Sequence, residues 1–295
     1  MRAQPLSPGL DRLLALCPQV ESASYRWSFV KVGWDRPHGE LVLAGAGSKG
    51  RGELLSFTEA EHERFRLDVL RFTPGRRSPA DLPDGEPYAR CAWEAALLDL
   101  GLRQRGLSLA QVFGAPERAR LRVCHSFRAL PSPRPAGTLK LDHQPGANYA
   151  ELPVAVVDFK GRSHLAPGVT ERTVLEDPSR PVRAPWSLDQ SVRTPADLHH
   201  PRLGRPTCVN LKAGRMGGFL ATLRAAVAAR RLGIQPYWGG QWELGVGRRQ
   251  AQQLAALVCP DAWNDLASGA AGYRAQDPEF IDVPLAAPGL GPTEA

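Results

Sequence analysis

Three acidic residues close three consecutive predicted strands in the second half of the sequence. Asp158 lies in VAVVDFK, Glu176 in RTVLED and Asp189 in WSLDQ. Because the carboxyl ends of parallel strands meet at one rim of a sheet, these carboxylates are expected to converge. Such hard oxygen ligands suit Mg²⁺, with Mn²⁺ as the alternative. Each carboxylate alone is more often a helix cap or a surface charge, so the metal-site hypothesis depends on their occurrence on three consecutive strands.

Lysine is scarce and falls at positions where an amine could do chemistry. Of 37 basic side chains only five are lysine: Lys31, Lys49, Lys140, Lys160 and Lys212. Arginine stays protonated, whereas a lysine near a bound cation can be tuned to act as a general base. Residues two apart in a strand share a face, so Lys140 is expected to point with Asp142, and Asp158 with Lys160. Lys212 ends another strand, in VNLKAGRMGG, where the alternative is a salt bridge to a neighbouring carboxylate. The alternative explanation for the scarcity of lysine is genome composition and chance.

Other candidate residues give weaker signals. Glu243 lies in the glycine-rich segment GGQWELGVGR, where it is expected to contact substrate, to support another site residue or to cap the next helix. That segment lacks the pattern of a phosphate-binding loop. His199 and His200 have no spaced third ligand, which favours a solvated loop. Ser187 and Ser191 lack a glycine elbow, so a serine hydrolase is disfavoured.

Seven short strands are predicted from about residue 120 onward, and five of them end in a polar or charged residue. They cover 121–127, 138–142, 154–160, 172–177, 186–190, 207–212 and 234–238, with an eighth near 263–267. The segment GGFLATLRAAVAARRLG after the sixth strand is typical of an amphipathic helix. This order favours a barrel of parallel strands. The proline-rich connections 128–137 and 178–185 are too short for ordinary crossover helices, so reduced early helices are expected.

The first part of the chain has a different pattern. Residues 24–57 alternate apolar runs with the turn-rich segments DRPHG and AGAGSKGRGE, which predicts an antiparallel meander. A helix is predicted over 58–71, with Thr58 as N-cap and Glu61 completing a capping box. A second helix with an apolar stripe is predicted over 89–105. A meander followed by helices is an α+β arrangement.

Composition and charge disfavour several classes of protein. The chain has 295 residues, 43% of them hydrophobic and 23% charged, which is ordinary for a globular protein. A net charge of +7 invites a nucleic-acid partner, but the basic residues are scattered and form no clustered footprint. No apolar run is long enough to span a membrane, and the N-terminal segment does not resemble a signal peptide. Five widely spaced cysteines without a CxxC pair predict reduced thiols, and hence a cytoplasmic location.

Four segments form a wider pattern: the cap glycines of GSKGRGELLSF; the helix of ARCAWEAALLDLGLRQRGLSLAQVFG; LEDP with SLDQSV; and VNLKAGRMGGFLATLRAAVAARRLGI followed by GGQWELGVGR. Together they resemble the enolase superfamily, in particular its mandelate racemase and muconate-lactonizing branch. The resemblance is strongest over 86–114 and 207–267 and weakest over 128–172.

The resemblance implies an α/β fold with an α+β cap, in which an N-terminal enolase-type capping domain covers a modified, TIM-like (β/α)7β barrel. It implies that Mg²⁺ stabilises an enolate formed by removing a proton next to the carboxylate of a small acid, as in a lyase or a racemase/epimerase. By motif, Asp158, Glu176 and Asp189 would be the metal ligands and Lys212 the acid/base residue. The expected parts are a capping domain (1–117), a barrel with the metal site (118–270) and a C-terminal extension (271–295).

Two strands depart from the pattern of that branch. The second barrel strand usually carries K-x-K, whose second lysine is a base, but here it reads KLD over 140–142. The third usually has an aspartate, a small residue and an asparagine, but here it reads DFK over 158–160. Lys140 or Lys160 is therefore the expected partner of Lys212, with Lys160 either replacing the lost amine or neutralising Asp158.

Asp142, Arg215 and Glu243 are expected to contact substrate or to support the ligands. Because of the two departures, the alternative function is a catalytically weak or inactive enolase-fold binding protein. A homo-oligomer is compatible with the sequence, which does not determine it.

Overall fold

The structure is a computed structural model, and it describes residues 6–31, 35–129, 137–145, 147–150, 152–161, 172–267 and 279–291. The helices are α1 (Ser7–Leu14), α2 (Glu59–Leu70), α3 (Pro87–Gln104), α4 (Leu109–Phe113), α5 (Phe219–Arg231) and α6 (Val246–Val258). The strands before the barrel are β1 (Gln19–Val20), β2 (Ser22–Lys31), β3 (Asp35–Gly45), β4 (Ser48–Leu54), β5 (Gly75–Arg76) and β6 (Arg118–Arg122). The remaining strands are β7 (His125–Phe127), β8 (Leu139–Asp142), β9 (Val154–Asp158), β10 (Val174–Glu176), β11 (Trp186–Leu188), β12 (Cys208–Leu211), β13 (Gln235–Trp238) and β14 (Phe280–Pro284).

The predicted meander is an antiparallel sheet of β2, β3 and β4. A two-residue turn joins β3 to β4, with Ala46 and Gly47 at φ values of 47° and 72°. Left-handed residues at both positions match the twist of a tight hairpin. The predicted N-cap of α2 is also present, because the Thr58 hydroxyl accepts a hydrogen bond from the Glu61 backbone N–H at 3.3 Å.

Helix α3 joins this sheet to the rest of the molecule because it is buried on two sides. Ala92 and Leu100 belong to the apolar core beneath the antiparallel sheet. Leu98 and Leu102 belong to the larger core that includes the barrel strands. The sheet lies so close to α3 that a Cβ on Gly52 would come within 2.0 Å of the Ala92 carbonyl oxygen. Glycine there allows sheet and helix backbones to touch.

The barrel sheet has the order β7-β8-β9-β10-β11-β12-β13, and every neighbouring pair is parallel. The predicted eighth strand near 263–267 appears as two isolated bridges, from Asn264 to Val123 and from Asp265 to Gly239. Backbone hydrogen bonds accompany them, from Cys124 N–H to the Asn264 carbonyl and from Asp265 N–H to the Trp238 carbonyl. This segment therefore connects the last barrel strand to the chain just before the first.

The connections between barrel strands differ along the chain, as expected. α5 links β12 to β13, and α6 follows β13. In the described parts of the four connections from β7 to β11 there is no helix. A 3-10 turn, Pro195–Leu198, lies between β11 and β12.

Two predicted strand bounds are wrong. The segment 121–127 is divided between β6, which pairs antiparallel with β14, and β7, which begins the barrel. The predicted strand 154–160 ends at Asp158, because the Asp158 carboxylate accepts the Lys160 backbone N–H at 3.0 Å and turns the chain. Lys160 has a φ of 52°, so the alternation of a strand does not set its direction.

Two of the sequence predictions concern the cysteines and membrane-spanning segments. The five cysteines are free thiols. Across the described ranges, the helices are all too short or too polar to cross a membrane.

Candidate metal and proton-transfer site

Asp158, Glu176 and Asp189 lie together at the C-terminal rim of β9, β10 and β11. Asp158 is directly opposite Glu176 in the β9–β10 pairing, and Asp189 immediately follows β11. One carboxylate oxygen from each lies within 4.8 Å of the other two, and the residues are 1%, 0% and 2% exposed. Three converging buried oxygen donors from separate strands fit a hard divalent cation.

Glu176 is held from across the barrel by two residues that the sequence analysis missed. Oε2 accepts hydrogen bonds from Asn210 Nδ2, at 2.8 Å, and from the Tyr237 hydroxyl. The Tyr237 hydroxyl is also 2.9 Å from Ser187 Oγ. Burial raises the pKa of Glu176, and the charge of Lys140 opposes that rise. Asn210 is two residues before Lys212, so the alternation of the predicted strand was the signal that could have identified it.

Asp189 is paired with two cations. Oδ2 is 2.8 Å from Lys212 Nζ, and Oδ1 is 2.6 Å from an Arg215 guanidinium nitrogen. Burial alone would raise the pKa of Asp189, but the charges of Lys212, Lys140 and Arg215 hold it well below its usual range. Arg215 therefore supports the Asp189 carboxylate, and the salt bridge considered for Lys212 is present.

Asp177 holds the turn that carries Asp189, and sequence reasoning missed it as well. Its two carboxylate oxygens accept the backbone N–H groups of Asp189, at 2.8 Å, and Gln190, at 2.9 Å. Asp177 itself has a φ of 48°, in the left-handed region.

Asp158 is paired with Lys160 at the more open side of the rim. Lys160 Nζ donates a hydrogen bond to Asp158 Oδ2 and is 3.2 Å from Asp142 Oδ1. Burial by itself would lower the pKa of Lys160, but the charge of Asp158 raises it above its usual value. The Lys160 side chain is 40% exposed, whereas that of Lys140 is only 3% exposed.

Lys140 points into the middle of the acidic cluster. Its Nζ donates to Glu176 Oε1 and lies 3.8 Å from Asp158 Oδ2 and 3.9 Å from Asp265 Oδ2. Burial would lower the pKa of Lys140, yet these carboxylates, together with Asp189, raise it well above its usual range. Asp265 was missed as a site residue, although it falls in the predicted eighth strand.

Each lysine predicted to be a base is thus bonded to a different carboxylate of the triad. Lys140 pairs with Glu176, Lys160 with Asp158 and Lys212 with Asp189. All six carboxylate oxygens of Asp158, Glu176 and Asp189 accept a hydrogen bond from the chain. A cation entering the triad must therefore replace some of these bonds.

Glu243 lies away from the triad, in the loop after β13. Its carboxylate accepts the Gln241 backbone N–H, at 3.0 and 3.1 Å, and is 3.5 Å from an Arg248 nitrogen. Gln241 in turn bonds to the Arg215 backbone N–H and to the Tyr88 hydroxyl of α3. Glu243 is therefore linked to Arg215 through Gln241, and it supports the loop after β13.

Comparison with known proteins identifies the fold. A family model described as a domain of unknown function (DUF8230), C-terminal domain, matches residues 166–273. An N-succinylamino acid racemase from Amycolatopsis is 37% identical over 115 residues, which cover 38% of this chain. The match spans 27% of the length of that relative.

Solved structures match almost the whole chain. A muconate cycloisomerase from Pseudomonas fluorescens is 20% identical, covering 93% of this chain and 96% of its own, with a TM-score of 0.68. An uncharacterised enolase-superfamily member from Enterococcus faecalis is 18% identical, covering 93% of this chain and 94% of its own, with a TM-score of 0.68. The predicted resemblance is confirmed for the capped barrel fold.

Proposed function

We propose that this chain, which has the fold of the enolase superfamily, is a divalent-metal-dependent enzyme that removes a proton next to the carboxylate of a small acid. Mg²⁺ is the proposed metal, with Mn²⁺ as the alternative, and the reaction class is lyase or racemase/epimerase. The convergence of Asp158, Glu176 and Asp189, with Lys212 beside Asp189, is the observation that carries the proposal.

A bound divalent ion would supply Lewis-acid stabilisation of negative charge on a substrate carboxylate. The residues that would hold it are Asp158, Glu176 and Asp189, and Asn210 and Asp177 keep two of these ligands in place. Their bonds fix the directions of the Glu176 carboxylate and of the turn that carries Asp189.

Lys212 is the proposed acid/base residue. Its Nζ would accept the proton removed from the substrate and return it in an isomerisation. Arg215 also pairs with Asp189, so that carboxylate keeps a cationic partner when Lys212 turns toward a substrate. Lys160 is the proposed partner because it is the more exposed of the two remaining lysines.

The substrate class, the cellular location and the division into parts are also proposals. A relative named N-succinylamino acid racemase suggests N-acylated amino acids as the first small carboxylates to test. We also propose a cytoplasmic location and the three parts with bounds 1–117, 118–270 and 271–295. The apolar core beneath the antiparallel sheet is made of residues between 20 and 100, which supports a separate N-terminal part, whereas α1 and α4 pack into the barrel core.

Exchange of the substrate proton in D₂O tests the reaction without knowledge of the product. The protein with excess MgCl₂ is incubated with a panel of small carboxylates that includes N-succinylamino acids. Loss of the α-proton signal by NMR is the expected result.

Lys212→Ala is expected to abolish exchange while leaving the circular dichroism spectrum unchanged, because the amine is the proton carrier and Arg215 still pairs with Asp189. Lys49→Ala, in the exposed β3–β4 hairpin, is the matched control. Exchange at the wild-type rate in the Lys212 variant would contradict the proposed role.

A second candidate function is a non-catalytic binding protein with the same fold. It is favoured by the saturation of all six triad oxygens by groups of the chain. Calorimetric titration with Mg²⁺ separates the two, since the enzyme requires binding and the second candidate predicts none at millimolar concentration.

A further inference from the structure

We propose that the Lys140 ammonium is a built-in cation of the carboxylate site, which holds Glu176 and Asp158 together without metal and moves to Asp265 when a divalent ion binds. This inference rests on the metal-binding part of the proposed function and not on the reaction. It gives Lys140 a role different from that of Lys212 and Lys160.

The position of Lys140 is that of a central cation. β8 is next to β9, and Lys140 pairs with Val156 in the register. The contacts of its side chain with Glu176, Asp158 and Asp265 place it inside the barrel. It is 3% exposed, and its Nζ is bonded to Glu176 and 3.8 Å from Asp158. A buried ammonium requires compensating negative charge, and two triad residues supply it.

The other cations are arranged differently. Lys212 and Arg215 contact Asp189, while Lys160 contacts Asp158 and Asp142. Among the ion pairs of the described residues, Lys140 is the cation that lies within 4.0 Å of two members of the triad. Lys140 is therefore the side chain in the central position, which a metal ion between Glu176 and Asp158 would have to displace.

Displacement is required because the two cations would use the same oxygens. Mg²⁺ binds oxygen at about 2.0 to 2.1 Å, and an ammonium at about 2.8 Å. A divalent ion between Glu176 and Asp158 would repel the Lys140 ammonium strongly in this buried setting.

Asp265 offers the displaced ammonium a second counter-ion. Its Oδ2 is 3.9 Å from Lys140 Nζ, so a movement of about 1 Å would give a hydrogen-bonded ion pair. The backbone of Asp265 is fixed by bonds from its N–H to the Trp238 carbonyl and from Gly240 N–H to its own carbonyl. Its side chain is therefore held near Lys140 on the segment that closes the barrel.

The test compares wild type with Lys140→Met, Asp265→Asn and the double variant, by Mg²⁺ calorimetry and by thermal unfolding with and without Mg²⁺. Lys140→Met keeps the length of the side chain and removes its charge. It is expected to lower the melting temperature without metal, to regain it with Mg²⁺, and to bind Mg²⁺ at least about tenfold more tightly. Lys49→Met, in the exposed hairpin, is the control.

Asp265→Asn is expected to weaken Mg²⁺ binding about tenfold in the wild-type background and to have no such effect in the Lys140→Met background. An equal effect in both backgrounds would overturn the inference, as would a folded Lys140→Met protein that binds Mg²⁺ no more tightly than wild type. If Lys140→Met does not fold even with Mg²⁺, the single Asp265→Asn variant decides, and unchanged affinity rejects the transfer.

The outcomes also separate this inference from the proposed function. Binding by Lys140→Met but not by wild type would support the built-in cation, and it would reject both the transfer to Asp265 and the metal dependence of the natural protein. Binding by wild type that Lys140→Met does not improve would reject the inference and leave the proposed enzyme intact. Absence of binding in both would reject both.

Discussion

Asn210 Nδ2 donates a hydrogen bond to Glu176 Oε2 at 2.8 Å, although β11 separates the strands that carry the two residues. The bond crosses the barrel interior and fixes the direction of the central carboxylate of the triad. Substituting Asn210 by leucine removes this donor at nearly constant volume.

Asn210→Leu is expected to weaken Mg²⁺ binding by about 10- to 100-fold, the usual effect of losing a group that orients a metal ligand. Calorimetry measures the change, and Asn148→Leu, at an exposed loop position, is the control. Unaltered affinity would mean that the Tyr237 hydroxyl and Lys140 position Glu176 without Asn210.

Gly239 allows the proposed base to occupy its place. A Cβ at this position would lie 2.1 Å from Asn210 Oδ1 and 2.7 Å from Lys212 Cε. Gly239→Ala is therefore expected to push Lys212 aside and to reduce proton exchange by about 100-fold, because small displacements of reacting groups are costly.

The control for this variant is Gly85→Ala, since a Cβ there meets no atom within 4 Å. Both proteins are compared by exchange rate and by melting temperature. Equal exchange rates would show that the base tolerates the displacement or lies elsewhere.

Glu53 joins the antiparallel sheet to the loop after β13. Its buried carboxylate accepts the backbone N–H groups of Leu244, Gly245 and Gly247 at 2.7, 3.1 and 3.0 Å. Glu53→Ala leaves these donors without their partner, and the free energy of unfolding is expected to fall by about 3 kcal/mol.

Urea unfolding measures this loss, and Glu53→Gln, which keeps one acceptor oxygen, is expected to lose less. Glu40→Ala is the surface control. The Glu40 side chain is 29% exposed and forms an ion pair with Arg51, and such exposed ion pairs contribute little to stability. Equal losses for Glu53→Ala and Glu40→Ala would contradict the stabilising role of the Glu53 carboxylate.

Glu94 makes the stability of the protein depend on pH. This α3 residue is 2% exposed, and its carboxylate accepts the Leu220 N–H at the start of α5 at 2.8 Å. Burial raises the pKa of Glu94 from 4.5 to about 7, although Arg90 and Arg224 act in the opposite direction.

Because the folded-state pKa is the higher one, the stabilisation is complete below pH 4.5 and is lost as pH rises toward 7. The expected loss from Glu94 is about 3 kcal/mol across that window. Glu94→Gln is expected to reduce the slope of unfolding free energy against pH, leaving the smaller contribution of Asp99, whose pKa burial raises to about 6. An unchanged slope would assign the pH dependence to other groups.

The barrel and its acidic rim could be predicted because their signals are local. The strands around Asp158, Glu176 and Asp189 are short apolar runs that end in a carboxylate, and parallel strands bring such ends to one rim. The N-cap of α2 at Thr58 and the reduced early helices followed from neighbouring residues in the same way.

The residues that support the carboxylate triad and Lys140 could not be identified from the local sequence pattern. Tyr237 and Asp265 lie in predicted strands, but nothing in their own segments indicates that they face Glu176 and Lys140. For Lys160 the predicted strand bound was wrong, because the chain turns at Asp158, yet the Lys160 ammonium still reaches the Asp158 carboxylate.

The sequence by itself determined which chemical groups reach the rim of the barrel, because the type and order of strand-ending residues are local properties. The tertiary structure alone decided how those groups are paired, because each distance depends on how the whole barrel closes. Lys140 illustrates both: its strand position was readable, but its place between Glu176 and Asp265 exists only once the segment at 264–265 bridges the two edges of the sheet.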